Sequence, residues 1–143
     1  MKSNSGLQAS SKWASIDAET ESRSDWNTKM GAIDLGFALR RLSELAHIRS
    51  RRSGFWDGGP DNLSVAAKIA LIHSELSEAL EGIREGNPAS TKIPEFSLLE
   101  EELADAIIRI CDLAGHLDLR IGEAIKAKME YNSTRPRMHG KRF

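Results

Sequence analysis

The chain has 143 residues, 29% of them charged, and a formal net charge of −1. That length fits one domain with a hydrophobic core, and the near-neutral balance excludes a global basic field of the kind that draws a protein to nucleic acid. No apolar run approaches a membrane span, Met1-Lys2-Ser3-Asn4-Ser5 lacks the apolar core of a signal peptide, and the one cysteine, Cys111, cannot close an internal disulfide, so a reducing cytoplasmic setting is expected.

Residues 1–28 are rich in Ser and charged side chains, with Trp13, Ile16 and Trp26 scattered among them. They read as a flexible polar extension, or at most a short helix laid on the domain that occupies 29–143. The first helix spans about Ala32 to Arg51, where Leu35, Leu39, Leu42 and Ala46 recur on one face. It closes on Arg49, Arg51 and Arg52, cations that suit the negative end of the helix dipole. Phe55-Trp56-Asp57-Gly58-Gly59-Pro60-Asp61 then reads as a turn, and its aromatic pair either packs on the domain or lines a pocket.

The second helix is expected from about Leu63 to Glu85, stopped by Gly86-Asn87-Pro88. With Ile72 at the centre of its buried stripe, Ile69, Leu76, Ala79, Leu80 and Ile83 fall around it. Glu75 then sits at the stripe's edge and Glu78 one step further out, the two roughly 60° apart on one face. After a polar loop to Glu95, Ser97-Leu98-Leu99-Glu100 announces a third helix with a capping box. It runs to about Leu117 with a main stripe of Phe96, Leu99, Leu103, Ile107, Ile110, Ala114 and Leu117, widened by Ala104, Ile108 and Cys111. So apolar a helix calls for burial on two sides, by its own domain and by a partner subunit, and it makes Cys111 a buried thiol rather than a nucleophile. A last helix covers about Ile121 to Ser133, Pro136 stops it, and a basic tail from Arg137 to Phe143 follows. With no strand signal, repeat or second domain, the fold class is all-α: a four-helix-bundle-like domain completed by oligomerisation.

Two of these helices carry carboxylates where apolar residues are expected. Glu75 and Glu78 are spaced i, i+3 on the second, and Glu102 and Asp105 repeat that spacing on the third. Either pair alone fits a solvated face, with a salt bridge such as Asp105 to Arg109. Two antiparallel helices each offering such a pair bring four oxygen-bearing groups to one point, the donor set a hard cation such as Mg²⁺ takes. The last helix places Lys128, Asn132 and Arg135 at i, i+4 and i+7, a cationic and amide face suited to phosphate oxygens. No Gly-x-x-x-x-Gly-Lys loop is present, so a P-loop enzyme is excluded.

Taken in order, Glu75-x-x-Glu78, Glu102-x-x-Asp105 and Lys128-Met129-x-x-Asn132-x-x-Arg135 resemble the MazG-like all-α nucleoside triphosphate pyrophosphohydrolases, over about Leu35 to Arg137. The resemblance implies Mg²⁺ as cofactor, held by Glu75, Glu78, Glu102 and Asp105. It also implies hydrolysis of the α–β phosphate bond of a nucleoside triphosphate to a monophosphate and pyrophosphate. Lys128, Asn132 and Arg135 would serve the triphosphate, and Arg109 either faces the nucleotide or pairs with Asp105. In some relatives that act on deoxycytidine nucleotides, a His and a Trp enclose the base. His47 and Trp56 have similar spacing, although the loop with Gly58-Gly59-Pro60 is longer. Glu78, further from the core than Glu75, is the choice for the carboxylate that helps deprotonate the attacking water. The family forms dimers or tetramers, so a homodimer or homotetramer with sites near the subunit boundary is expected.

Two other readings stand beside this one. A non-catalytic helical module would bind nucleotides or a protein partner through the same bundle. A di-iron carboxylate bundle would use Glu-x-x-His on each of two helices; Glu44-Leu45-Ala46-His47 matches once, with no second copy.

Overall fold

The computed structural model describes residues 34–58 and 64–136. The expected polar extension over 1–28, the basic tail from Arg137 and most of the Gly58-Gly59-Pro60 loop lie outside the described residues. The chain divides after Asp34, and every described helix belongs to the unit Leu35–Phe143. These helices are α1 (Leu35–Arg52), α2 (Val65–Arg84), α3 (Leu98–His116) and α4 (Ile121–Ser133). Among the described residues there is no strand, only an isolated antiparallel bridge between Ala89 and Ser97. No described helix is long and apolar enough to cross a membrane.

Local chemistry sets the helix ends. The Ser64 hydroxyl accepts from Ala67 N–H at the start of α2. Ser97 and Glu100 form the expected reciprocal capping box on α3, an arrangement in which the cap alone contributes about 1 kcal/mol. Gly86 and Asn87 take positive φ angles of 89° and 53°, which ends α2 and turns the chain back. Asn87 then offers its side-chain oxygen to Leu99 N–H, tying the turn to the first residues of α3.

α3 is the central element and packs against both α2 and α1, while α4 packs against α1. Leu98 lies against Gly82 and Arg109 reaches Glu75, so α2 and α3 form an antiparallel hairpin. At the other end of α3, a Cβ on Gly115 would stand 2.5 Å from Ser43 O, so α1 and α3 approach backbone to side-chain-free backbone there. Gly122 makes the same kind of approach to Leu35 where α4 meets α1.

The faces that pack coincide with the apolar periodicity only at its small residues: Ala46, Ala79, Cys111 and Ala114 are buried as expected, while most of the larger aliphatic side chains of the stripes are not. On α2 the buried residues are Glu75, Ala79 and Gly82, while Ile69, Leu76, Leu80 and Ile83 are exposed. Glu75 is therefore at the centre of the packed face, and not at its edge. On α3 the buried set is Glu101, Glu102, Ala106, Cys111, Asp112, Leu113 and Ala114. Leu103, Ile107, Ile110 and Leu117 from the expected stripe face outward, with Ile107 52% exposed. On α1, Ser43 and Ala46 are buried and Leu42 is not. Small residues explain the inversion: Ala and Gly let helix axes approach closely, and the larger aliphatic side chains are left on the outer faces. Burying one such side chain contributes about 1.5–3 kcal/mol, so these open faces hold much unrealised hydrophobic free energy.

Candidate functional site

The α2–α3 hairpin determines the carboxylate site. Because Glu75 lies on the packed face of α2 and Glu102 on that of α3, their antiparallel contact drives the two side chains together. One carboxylate oxygen each from Glu75, Glu78 and Glu102 lies within 4.8 Å of the other two. Glu75 and Glu102 are buried and Glu78 is exposed. Asp105, one turn beyond Glu102 and half-buried, is not among this trio. The structure thus gathers three of the four carboxylates that the spacing selected.

The three are not equally satisfied. Glu75 Oε1 accepts a hydrogen bond from Arg109 Nε at 2.5 Å. The guanidinium that could have paired with Asp105 along its own helix pairs across the hairpin instead. Glu102 fares differently: its Oε2 is buried and accepts no hydrogen bond from any described residue. Burial pushes the Glu102 carboxyl above its usual range, the nearby Glu78 charge adds to the effect, and Glu101 and Glu75 contribute further against the opposing influence of Lys92. A buried oxygen with no donor and two carboxylate neighbours is an expensive arrangement for a chain on its own. Oxygen-only donors with an unmet negative charge fit a hard divalent cation and do not fit a softer metal.

The loop between α2 and α3 contributes a cation that spacing did not reveal. Ser90 is buried, and its hydroxyl accepts from the N–H groups of Lys92 and Ile93, which shapes the loop so that Lys92 Nζ reaches Glu101 at 2.5 Å. That ion pair holds the Glu101 carboxyl below its usual range, with a Ser90 hydrogen bond adding to it, and raises Lys92. Lys92 comes from an irregular loop, where no periodicity marks it.

His47 and Trp56 are brought together at the other end of α3. Their rings meet edge to face with centroids 5.2 Å apart, and both hydrogen-bond the same buried carboxylate, Asp112. Trp56 stacks on His116 at 4.0 Å and lies 4.1 Å from Lys68 Nζ, so its ring is already held by neighbours. Asp112 and His116 were missed as site residues. Asp112 had a signal: a carboxylate inside Ile110-Cys111-Asp112-Leu113-Ala114 must find donors when that segment is buried.

Lys128, Asn132 and Arg135 are all exposed, and Lys128 Nζ lies 4.7 Å from the Tyr131 ring centroid. α4 shares an extended interface with α1 and with neither α2 nor α3. Among the described residues, no hydrogen bond or ion pair joins these three side chains to the carboxylates. The Glu44-x-x-His47 pair does not build a metal site either: Glu44 pairs with Arg41 and His47 with Asp112. Cys111 is buried, and burial raises its thiol, as expected of a packed residue and not of a nucleophile.

No protein-family model matches the chain, and neither the curated proteins nor the solved structures contain a significant match to it. The MazG-like resemblance therefore rests on the sequence motifs.

Proposed function

We propose that the protein is a Mg²⁺-dependent nucleoside triphosphate pyrophosphohydrolase of the MazG-like kind, which cleaves (d)NTPs between the α and β phosphates to (d)NMP and pyrophosphate. The observation that carries this reading is Glu102: a buried carboxylate with an oxygen that has no hydrogen-bond partner among the described residues, in a trio with Glu75 and Glu78 whose oxygens lie within 4.8 Å of one another. Glu75, Glu78, Glu102 and Asp105 would hold the metal. When bound, Mg²⁺ supplies positive charge that offsets the negative charge of the phosphates as the α–β bond breaks.

The remaining work falls to the chain's own side chains. Glu78, the exposed member of the trio, takes the proton from the water that attacks the α-phosphorus at its carboxylate oxygen. Lys128, Asn132 and Arg135 meet the triphosphate. Because the main interface of α4 is with α1, they do so at a boundary between copies of the chain. A homodimer or homotetramer also covers the outward apolar faces of α2 and α3. Arg109 steadies Glu75, while His47 and Trp56 face the base. Nucleotides are the partners in this reading, not nucleic acid or membrane, and the cytoplasm is its setting.

One observation favours a second reading. The Arg109–Glu75 pair already neutralises one of the three carboxylates, as a non-catalytic nucleotide- or protein-binding module could use. Incubation with each (d)NTP and Mg²⁺, followed by separation of products, decides between them. Monophosphate plus pyrophosphate is the expected result; diphosphate plus orthophosphate, or no turnover, sinks the proposal.

A further inference from the structure

Asp112 is the one buried carboxylate of α3 whose oxygens are fully engaged. His47 Nδ1 lies 2.9 Å from Oδ1, Ser50 Oγ donates to Oδ2 at 2.7 Å, and Trp56 Nε1 donates to the two oxygens at 2.9 and 3.1 Å. His47 and Ser50 come from one face of α1, and Trp56 from the turn after it. A single carboxylate thus ties a helix and the loop that leaves it to the central helix. Nothing in the carboxylate cage requires this, since Asp112 stands well along α3 from Glu102 and takes no part in the trio.

We infer that Asp112 is a positioning residue: it fixes the tautomer of His47 and locks Trp56 beside it, so that the two rings act as one ligand-facing unit whose free polar atom is His47 Nε2. The chemistry is direct. A carboxylate oxygen accepts, so His47 Nδ1 carries a proton, and in the neutral form of the ring the lone pair lies on Nε2. Among the described residues Nε2 has no partner, while the His47 side chain is 18% exposed. An open lone pair on a ring that cannot rotate away accepts a hydrogen bond from its ligand, so the ligand group that meets His47 presents an N–H or O–H donor. Trp56 is clamped at its N–H by Asp112 and on its ring by His116 and Lys68, and it stands edge to face with the His47 ring. Asp112 touches no substrate itself; it acts through the two rings. That the ligand is the base end of a nucleotide rests on the function proposed above, whereas the tautomer and the locking do not.

The test separates the two. Long-range ¹H–¹⁵N spectra of the full chain report the ring tautomer of each histidine, with His47→Gln assigning the His47 signals. The Nδ1–H tautomer is expected for neutral His47 in the wild type; an Nε2–H tautomer overturns the inference before any variant of Asp112 is made. Asp112→Asn, which keeps the shape but offers an amide N–H toward the imidazole, should shift the population to Nε2–H. It should also raise KM for the preferred nucleotide about tenfold, as expected when a charge-assisted hydrogen bond that orders a binding group is weakened, with kcat within about twofold. An unchanged tautomer, or a fall in kcat at constant KM, overturns the positioning role. Trp56→Phe, which leaves the carboxylate in place, should retain the His47 tautomer, and its loss there counts against Asp112 as the cause. A wild type that turns over no nucleotide defeats the proposed function while the tautomer measurement still decides the role of Asp112.

Discussion

Glu102 and Asp112 are buried carboxylates on the same helix, and their surroundings could hardly differ more. Asp112 faces α1 and accepts from three side chains. Glu102 faces α2, has a buried oxygen with no donor among the described residues, and meets two further carboxylates there. Both pay the desolvation cost of a buried carboxylate, but only Asp112 recovers it within the chain. The contrast separates two uses of the same chemical group. A satisfied carboxylate orders what surrounds it, whereas an unsatisfied one reserves its charge for a ligand.

The largest expected effect comes from neutralising the unsatisfied member. Glu102→Gln should lower kcat/KM by on the order of 10³-fold, since several kcal/mol of charge stabilisation depends on the metal site. It should also abolish any Mg²⁺-dependent rise in Tm, while the metal-free protein gains stability by on the order of a few degrees. Calorimetry with and without Mg²⁺ checks both, and a variant that is less stable without metal would remove Glu102 from this side of the contrast. Asp112→Ala should do the reverse. Leaving three donors without their acceptor should cost about 2–4 kcal/mol in urea unfolding, with no change in the Mg²⁺ response.

The third prediction concerns how Asp112 reaches its donors. Gly115→Ala introduces a Cβ 2.5 Å from Ser43 O, so the α1–α3 spacing must open. The expected loss is about 1–3 kcal/mol, together with a change in Trp56 fluorescence as the ring leaves the Asp112 clamp. The carboxylate trio, built by α2 and α3, should keep its Mg²⁺ response.

The smallest effect is in pH. The Glu102 carboxyl is raised by burial and then by Glu78, so the folded state holds its proton to higher pH than the unfolded chain does. Stability should therefore fall as pH rises from the ordinary Glu range through the raised folded value. Glu101 is lowered by Lys92 and then Ser90. It contributes stability above the ordinary Glu range, which is lost as pH falls through its lowered value. Tm measured against pH should show both limbs, and Mg²⁺ or Glu102→Gln should flatten only the upper one.

Much of the fold was legible in the chain. Gly86-Asn87-Pro88, the Ser97–Glu100 capping box and the 3.6-residue period place the helices to within a few residues, because these signals act locally. The spacing of Glu75, Glu78 and Glu102 was legible too. The identity of the packed faces was not. Periodicity weighs hydrophobicity, and it therefore favoured the Leu and Ile stripes; the helices pack through Ala79, which the stripe included, and through Gly82, Ala106 and Gly115, which it did not, where axes can approach. Arg109 was placed with Asp105 by helical spacing, which cannot see that Glu75 lies across the hairpin.

By itself, then, the sequence determined that the chain is all-α, where its helices begin and end, and which carboxylates share a helix face. Those properties follow from local propensity, capping and the helical repeat. Only the tertiary structure decided that Glu75 is central and not marginal, that Glu102 is left wanting a partner, that Lys92 reaches Glu101, and that Asp112 joins His47, Ser50 and Trp56. Each of these is a meeting of residues far apart in the chain, set by how closely small side chains let the helices approach, and no one-dimensional pattern records that distance.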